Sequence, residues 1–181
     1  MKQTEKLHTD IVFLTELATR TQFAQLTEIA VKQQMSEPWF RQELSGWLRP
    51  GSNRSPDGMP SFGLFSTRRF TPLARTLLRL FDRGKNTASL NRQKIIEGSP
   101  TLCVLATQED NQEAWINTGR AMLSVLLTLA TAGMSASFMN QAIQIPGLRR
   151  QLTDIFNAAP YPQLVLRVGC ADKVAWTPRR E

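Results

Sequence analysis

The stretch from Gln112 to Gln141, QEAWINTGRAMLSVLLTLATAGMSASFMNQ, constrains the fold more than any other part of the chain. Read at helical spacing, Trp115, Met122, Leu126 and Leu129 fall on one face, and Ile116, Leu123, Leu127 and Ala130 on the neighbouring one. A helix apolar over so wide an arc is expected to be buried on several sides. Asp110 and Asn111 offer N-cap chemistry, Glu113 suits the first turn, and Gly133 can adopt the left-handed conformation that ends a helix. The expectation is a core helix of about twenty residues, roughly 30 Å long, running into a short buried strand.

No charged side chain lies between Ala121 and Leu148, and Arg120 and Arg149 flank the gap as membrane anchors would. Yet Ser124, Thr128, Thr131, Ser135, Ser137, Asn140 and Gln141 interrupt the apolar run, and Gly133 breaks it. The unbroken apolar pieces fall far short of the about 18 residues that a span requires. A membrane span is therefore not expected.

At 181 residues the chain suits one domain with a real core, here taken as residues 1–181. Hydrophobic content of 41% fits a soluble globular chain. Cys103 and Cys170 both lie in apolar runs, as reduced core cysteines do, and the pattern fits neither a disulfide framework nor a zinc site. The segment MKQTEKLHTD lacks the apolar core of a signal peptide, so the cytoplasm is the expected compartment. Lysine and arginine total 22 against 15 acidic residues, a net charge of +7. Such a balance points to an anionic partner such as phosphate, or to a solvated basic surface.

Along the chain, DIVFLTE at residues 10–16 reads as a strand, followed by a helix from about Thr21 to Met35 with Phe23, Leu26, Ile29 and Ala30 inward. Ser36 is a natural N-cap for a second helix, EPWFRQELSGWL, whose Trp39, Phe40, Leu44, Trp47 and Leu48 suit a core or an interface. Residues 49–70 are rich in glycine and proline and read as a long structured loop with a turn at Pro56-Asp57-Gly58-Met59-Pro60. Helical spacing returns with Leu73, Leu77, Leu80 and Phe81 on one side and Arg75, Arg79 and Arg83 on the other, closed by Gly84. A polar helix over Thr87 to Glu97, a buried strand over Thr101 to Thr107, a helix opened by Pro146 and the strand QLVLRVGCA complete the order. The layout is α+β: a small sheet of three or four strands with helices on its faces.

Hydrolytic and nucleotide-binding motifs are not found. The sole histidine, His8, lies in a polar segment, and there is no Walker loop, GxGxxG or HExxH. No metal site and no nucleic-acid module is indicated. If the chain is an enzyme, a cofactor carries the chemistry.

The series IIEGSPTLCVLATQED, GRAMLSVLLTLATAGMSASFMNQ, PGLRRQL, PYPQLVLRVGCA and TPRR, in that order, resembles the C-terminal half of the flavin-dependent nitroreductase family. Glu43-Leu44, Trp47-Leu48-Arg49, Asp57-Gly58-Met59-Pro60, Pro162-Gln163, Arg167, Gly169 and Pro178-Arg179-Arg180 are similar to motifs of its Acg-like branch. The resemblance covers about residues 10–180. It implies a homodimer with a small, mostly antiparallel sheet and flanking helices around a long central helix. It also implies that FMN is bound and takes hydride from NAD(P)H, passing electrons to a nitroaromatic or quinone-type small molecule. In the family's pattern Met139, Asn140 and Gln141 correspond to the segment beside the flavin N5 edge, and Arg179 and Arg180 to the basic residues that reach the FMN phosphate. An arginine fork suits a phosphate dianion on physical grounds too. The chain departs from the pattern in two places. The R-S-x-R motif that normally grips the ribityl phosphate is not found, so the chain reads as N-terminally short. Asn140 and Gln141 stand where an acidic residue and a glycine are common. Two readings follow, a flavin-dependent NAD(P)H oxidoreductase and a non-catalytic relative acting in FMN sequestration or protein interaction.

Overall fold

The structure, a computed structural model, describes residues 8–49, 58–60, 76, 78–80, 82 and 84–171. These residues form two compact units, one of residues 8–31 and 88–171, the other of the described residues between 32 and 87.

The first unit is built on β4, Thr101–Thr107, whose Leu102 to Ala106 are wholly buried. Its sequence, TLCVLAT, is apolar on both alternating faces, which requires cover on both sides of the sheet. β1, Thr9–Leu14, pairs with one edge of β4, and β6, Tyr161–Gly169, with the other. β5, Ser135–Phe138, adds to β6, so the order is β1-β4-β6-β5 with every pairing antiparallel. The α+β layout with a small antiparallel sheet is therefore as the sequence implied.

Alternation divides the core in two. Cys103, Leu105, Leu166 and Val168 face α4, Gln112–Thr131, and pack on its Ala121, Val125 and Leu129. Leu102, Val104 and Val165 face the opposite way. There they meet Phe23, Ala24, Leu26 and Ala30 of α1 (Leu17–Ser36), Ile95 of α3 (Gly84–Ile96), and Leu148, Leu152 and Phe156 of α5 (Pro146–Phe156). The rings of Phe23 and Phe156 sit 5.6 Å apart, tilted by 47°. Fully burying one such side chain contributes about 1.5–3 kcal/mol.

α4 begins and ends as its residues dictate. Asn111 is the N-cap, its side-chain oxygen accepting from the backbone N–H of Ala114 at 2.9 Å. Gly133 takes φ 69° just beyond the helix, where Met134 N–H reaches back to Leu129 O at 2.8 Å. The expected burial on several sides is corrected, because only the face of Thr118, Ala121, Val125 and Leu129 is covered. Trp115, Ile116, Leu123 and Leu127 are each more than half exposed. Periodicity shows how wide an apolar arc is, and not whether its cover comes from the same chain.

Other expectations shift for local reasons. Ile29 is half exposed, since the α1 stripe that meets the sheet is narrower than its apolar content. Cys103 is buried as expected, whereas Cys170 lies beyond the end of β6 and is exposed.

In the second unit, α1 ends at Ser36 and α2, Pro38–Trp47, starts at once. Its N-cap is Glu37 rather than Ser36, with Pro38 in the first turn. Arg41 caps the end of α1 by donating from Nη1 to Met35 O at 2.6 Å and Ser36 O at 2.9 Å. Trp39 and Trp47 are exposed, not core. β2, Leu48–Arg49, pairs in parallel with β3, Met59–Pro60. Between them Gly58 has φ 89°, and a Cβ there would fall 2.5 Å from Trp47 O, so this position needs its glycine. Leu78 is buried and Leu80 exposed, while Leu73, Leu77 and Phe81 lie outside the described residues. Gly84 opens α3 rather than closing a helix, its N–H bonded to Asp82 Oδ1 at 2.7 Å.

Leu152→Ala removes a wholly buried side chain and is expected to cost about 2–5 kcal/mol. Leu126→Ala, only partly covered against α4's cluster, is expected to cost less, and Leu123→Ala under about 1 kcal/mol for the single chain. Chemical denaturation orders the three; an equal loss at Leu123 and Leu152 would contradict the burial pattern.

Candidate functional site

Met139, Asn140 and Gln141 follow β5 directly, and Met139 packs into the core on the α1 and α5 side of the sheet. Met139 is buried in that core, and its N–H donates to Val165 O at 2.9 Å. The side-chain oxygen of Asn140 accepts from Val165 N–H at 2.9 Å, continuing the ladder after the β5 backbone has turned away. Asn140 O accepts from Gln144 N–H at 3.1 Å, which closes the turn, and Ala142 then returns to the core. Asn140 thus pins the segment, and what the segment leaves open is Gln141, whose Oε1 is shut off from solvent without a hydrogen-bond partner. Arg179 and Arg180, expected at a phosphate, lie outside the described residues, as do Arg68 and Arg69.

A second polar centre was not anticipated. Asp110, in the turn between β4 and α4, receives a bidentate Arg149: Nη1 to Oδ2 at 2.7 Å and Nη2 to Oδ1 at 3.1 Å. Trp115 Nε1 adds 2.7 Å and Gln163 Nε2 3.1 Å to the same Oδ1. Arg149 also donates from Nε to Pro162 O at 2.8 Å and from Nη2 to Gln163 Oε1 at 2.9 Å, and stands 5.9 Å from the Tyr161 ring centroid. Gln163 reaches this position through a bulge: Leu105 pairs with Leu164 and Ala106 with Pro162, so Gln163 has no cross-strand partner. Its Nε2 donates to Thr107 Oγ1 at 2.8 Å. The cluster ties β4, α4, α5 and β6 together. Arg149 has all three nitrogens engaged, so it does not offer a free fork to an anion.

The Arg149 hydrogen bonds, followed by that of Trp115, hold the Asp110 carboxyl well below the usual carboxylate range against the opposing effect of burial. Burial pushes the Cys103 thiol up to about 12, so it stays neutral and unreactive. Beside the cluster a cleft of about 260 Å³ is lined by His8, Thr107, Glu109, Asn111, Glu113 and Asn117. Among the described residues no group of three or more His, Cys, Asp or Glu is placed to hold a metal ion, and no helix is long and apolar enough to cross a membrane.

No protein-family profile matches the chain. Two proteins of Mycobacterium tuberculosis, from different strains and provisionally named NAD(P)H nitroreductases, are each 34% identical to it over 85 residues, 44% of this chain. The alignment spans only 25% of either mycobacterial protein. The FMN and NADPH-dependent nitroreductase NfnB of Sphigopyxis sp. strain HMH superposes on 99% of this chain and 83% of its own, at 16% identity and a TM-score of 0.49. A point mutant of that enzyme superposes at 0.48.

The native pKa of Asp110 is depressed, so its contribution to stability is complete above the unfolded value of about 3.9 and is lost as pH falls through the native one. Asp110→Asn is expected to lower stability at neutral pH by about 1 kcal/mol, since water screens an exposed cluster. Between about pH 5 and 2 the wild-type melting temperature should fall more steeply than that of the variant. Parallel pH profiles would remove Asp110 from the role of anchor.

Proposed function

We propose that the chain is part of a flavin-dependent NAD(P)H oxidoreductase of the nitroreductase type, binding FMN and passing electrons to a nitroaromatic or quinone-type acceptor. The observation that carries this reading is the open, solvent-excluded Oε1 of Gln141 in a chain related to proteins named NAD(P)H nitroreductases. An acceptor without a partner can receive a heterocyclic N–H, and flavins carry one, which supports the cofactor reading. When bound, FMN supplies the centre that accepts hydride and releases electrons.

The chain's own residues bind and orient. Asn140 fixes the segment against Val165, so Gln141 is held by the sheet and not by a free loop. Met139, Ala142 and Leu148 exclude water from the adjoining core. Arg179 and Arg180 are proposed for the FMN phosphate, and their fork geometry suits it. The cytoplasm is the proposed compartment. A homodimer is proposed through α4, supported by the exposed Ile116, Leu123 and Leu127 on a helix without a charged side chain beyond Arg120.

The purified chain should show flavin absorption or take up added FMN. Because FMN binds only the folded state, a hundredfold excess over its dissociation constant should stabilise by about 2.7 kcal/mol. Arg179→Ala should weaken FMN while leaving the unliganded melt unchanged. Reduction of the bound flavin by NAD(P)H would separate an oxidoreductase from a protein that merely sequesters FMN. A colourless chain whose melting ignores FMN would end the flavin reading.

The dimer has its own test. Leu123→Glu should give a monomer of native melting behaviour, measured by sedimentation. An unchanged mass would move the interface elsewhere.

A further inference from the structure

The charge of the chain is not spread evenly. Between Lys32 and Thr87 ten lysines and arginines stand against four acidic residues, a surplus of six in a chain whose total surplus is seven. Eight of the ten are arginines, whose planar fork matches phosphate oxygens. A single FMN phosphate answers at most about two positive charges, so the flavin reading leaves most of this surplus without a role.

The second unit also turns its tryptophans outward. On α2, Trp39, Glu43 and Trp47 recur at four-residue spacing and so form one row on the helix surface. Trp39 is 64% exposed and Trp47 50%, whereas Ser45 on the opposite side is buried. The two indoles are about 12 Å apart along the helix axis. Trp39 is braced edge-on against Phe40, with ring centroids 5.9 Å apart and an interplanar angle of 85°, so the indole is held while most of its surface stays open. Gln42 and Gly46 run along one flank of the row. There a hollow of about 350 Å³ opens, lined by Gln42, Ser45, Gly46 and Arg79. Arg79 is tied to α2 through its backbone, its carbonyl oxygen accepting from Arg41 Nε at 3.4 Å, while its guanidinium is in no ion pair among the described residues.

Open aromatic faces beside an arginine, in a stretch with an extended positive field, suit a chain of phosphates that carries its own aromatic rings. We propose that the second unit binds single-stranded nucleic acid, stacking bases on Trp39 and Trp47 and turning the phosphates toward Arg79 on the Gln42 and Gly46 flank. Glu43 decides between this partner and an anionic bilayer. A bilayer that covered both indoles would also cover the carboxylate between them, against the charge of its own headgroups. A strand can instead keep its phosphates on the flank away from Glu43. A duplex holds its bases stacked inside and gives the indoles nothing to grip.

A labelled single strand of about twenty nucleotides, prepared as DNA and as RNA, is titrated into the full chain and followed by fluorescence anisotropy. At least one of the two should bind, quench the indole emission, and lose affinity linearly on a log–log plot as salt is raised. Trp39→Ala and Trp47→Ala should each weaken that binding by about tenfold, the worth of one stacked base, and leave binding to heparin, a polyanion without bases, unaltered. Arg79→Ala should reduce the salt slope by about 0.7, the share of one phosphate contact on a single strand. Both indoles are half exposed or more, so the tryptophan variants should melt with the wild type. Trp39→Phe, which keeps an aromatic face, should retain most of the affinity. The proposal is overturned if neither strand binds at low salt, if a duplex of the same sequence binds as tightly, or if the alanine variants bind the strand as the wild type does. If those variants instead release the chain from phosphatidylserine vesicles and leave strand binding unaltered, the face belongs to a membrane and the proposal fails.

Discussion

The double burial of β4 is the constraint from which the first unit follows. A strand apolar on both alternating faces cannot lie at a surface, so β1 and β6 must flank it and helices must cover both sides of the sheet. Transfer of its side chains from water supplies the driving force, and its backbone groups are satisfied only in the ladders with β1 and β6. α4 covers one face, and α1, α3 and α5 together cover the other.

Against that apolar background the polar groups are positioned by exceptions to regularity. The bulge in β6 releases Gln163 from the ladder so that it can join Asp110 and Arg149. Asn140 lends its side chain to Val165 where the β5 backbone no longer can. In each case an amide side chain stands in for a backbone group and ties a connecting segment to a central strand.

Much of the frame was legible because its signals are local. TLCVLAT reads as a buried strand and is one, and Asn111 and Gly133 bound α4 where their chemistry places them. What could not be read is what approaches each element from a distance. Leu123 and Leu127 are as apolar as Val125, yet only Val125 meets the sheet. Asp110 read as capping chemistry because its partners Arg149 and Gln163 come from 39 and 53 residues away. The segment of Met139, Asn140 and Gln141 came from a family pattern, and no spacing rule marks Asn140 as a pin or the Gln141 oxygen as unpartnered. Hydrogen-bond closure of that kind is tertiary information.

The pairing of Thr9 with Thr107 joins positions 98 residues apart (107 − 9). Closing so long a loop carries a large entropic penalty before any contact repays it, so β1 cannot dock early by chance encounter. On a ribosome, β1 and the first turns of α1 emerge well before β4, and β6 later still. The apolar stripe of Phe23, Leu26 and Ala30 therefore stays uncovered until β4, α5 and β6 have been made. Until β6 is made, the sheet lacks the strand that joins β4 to β5.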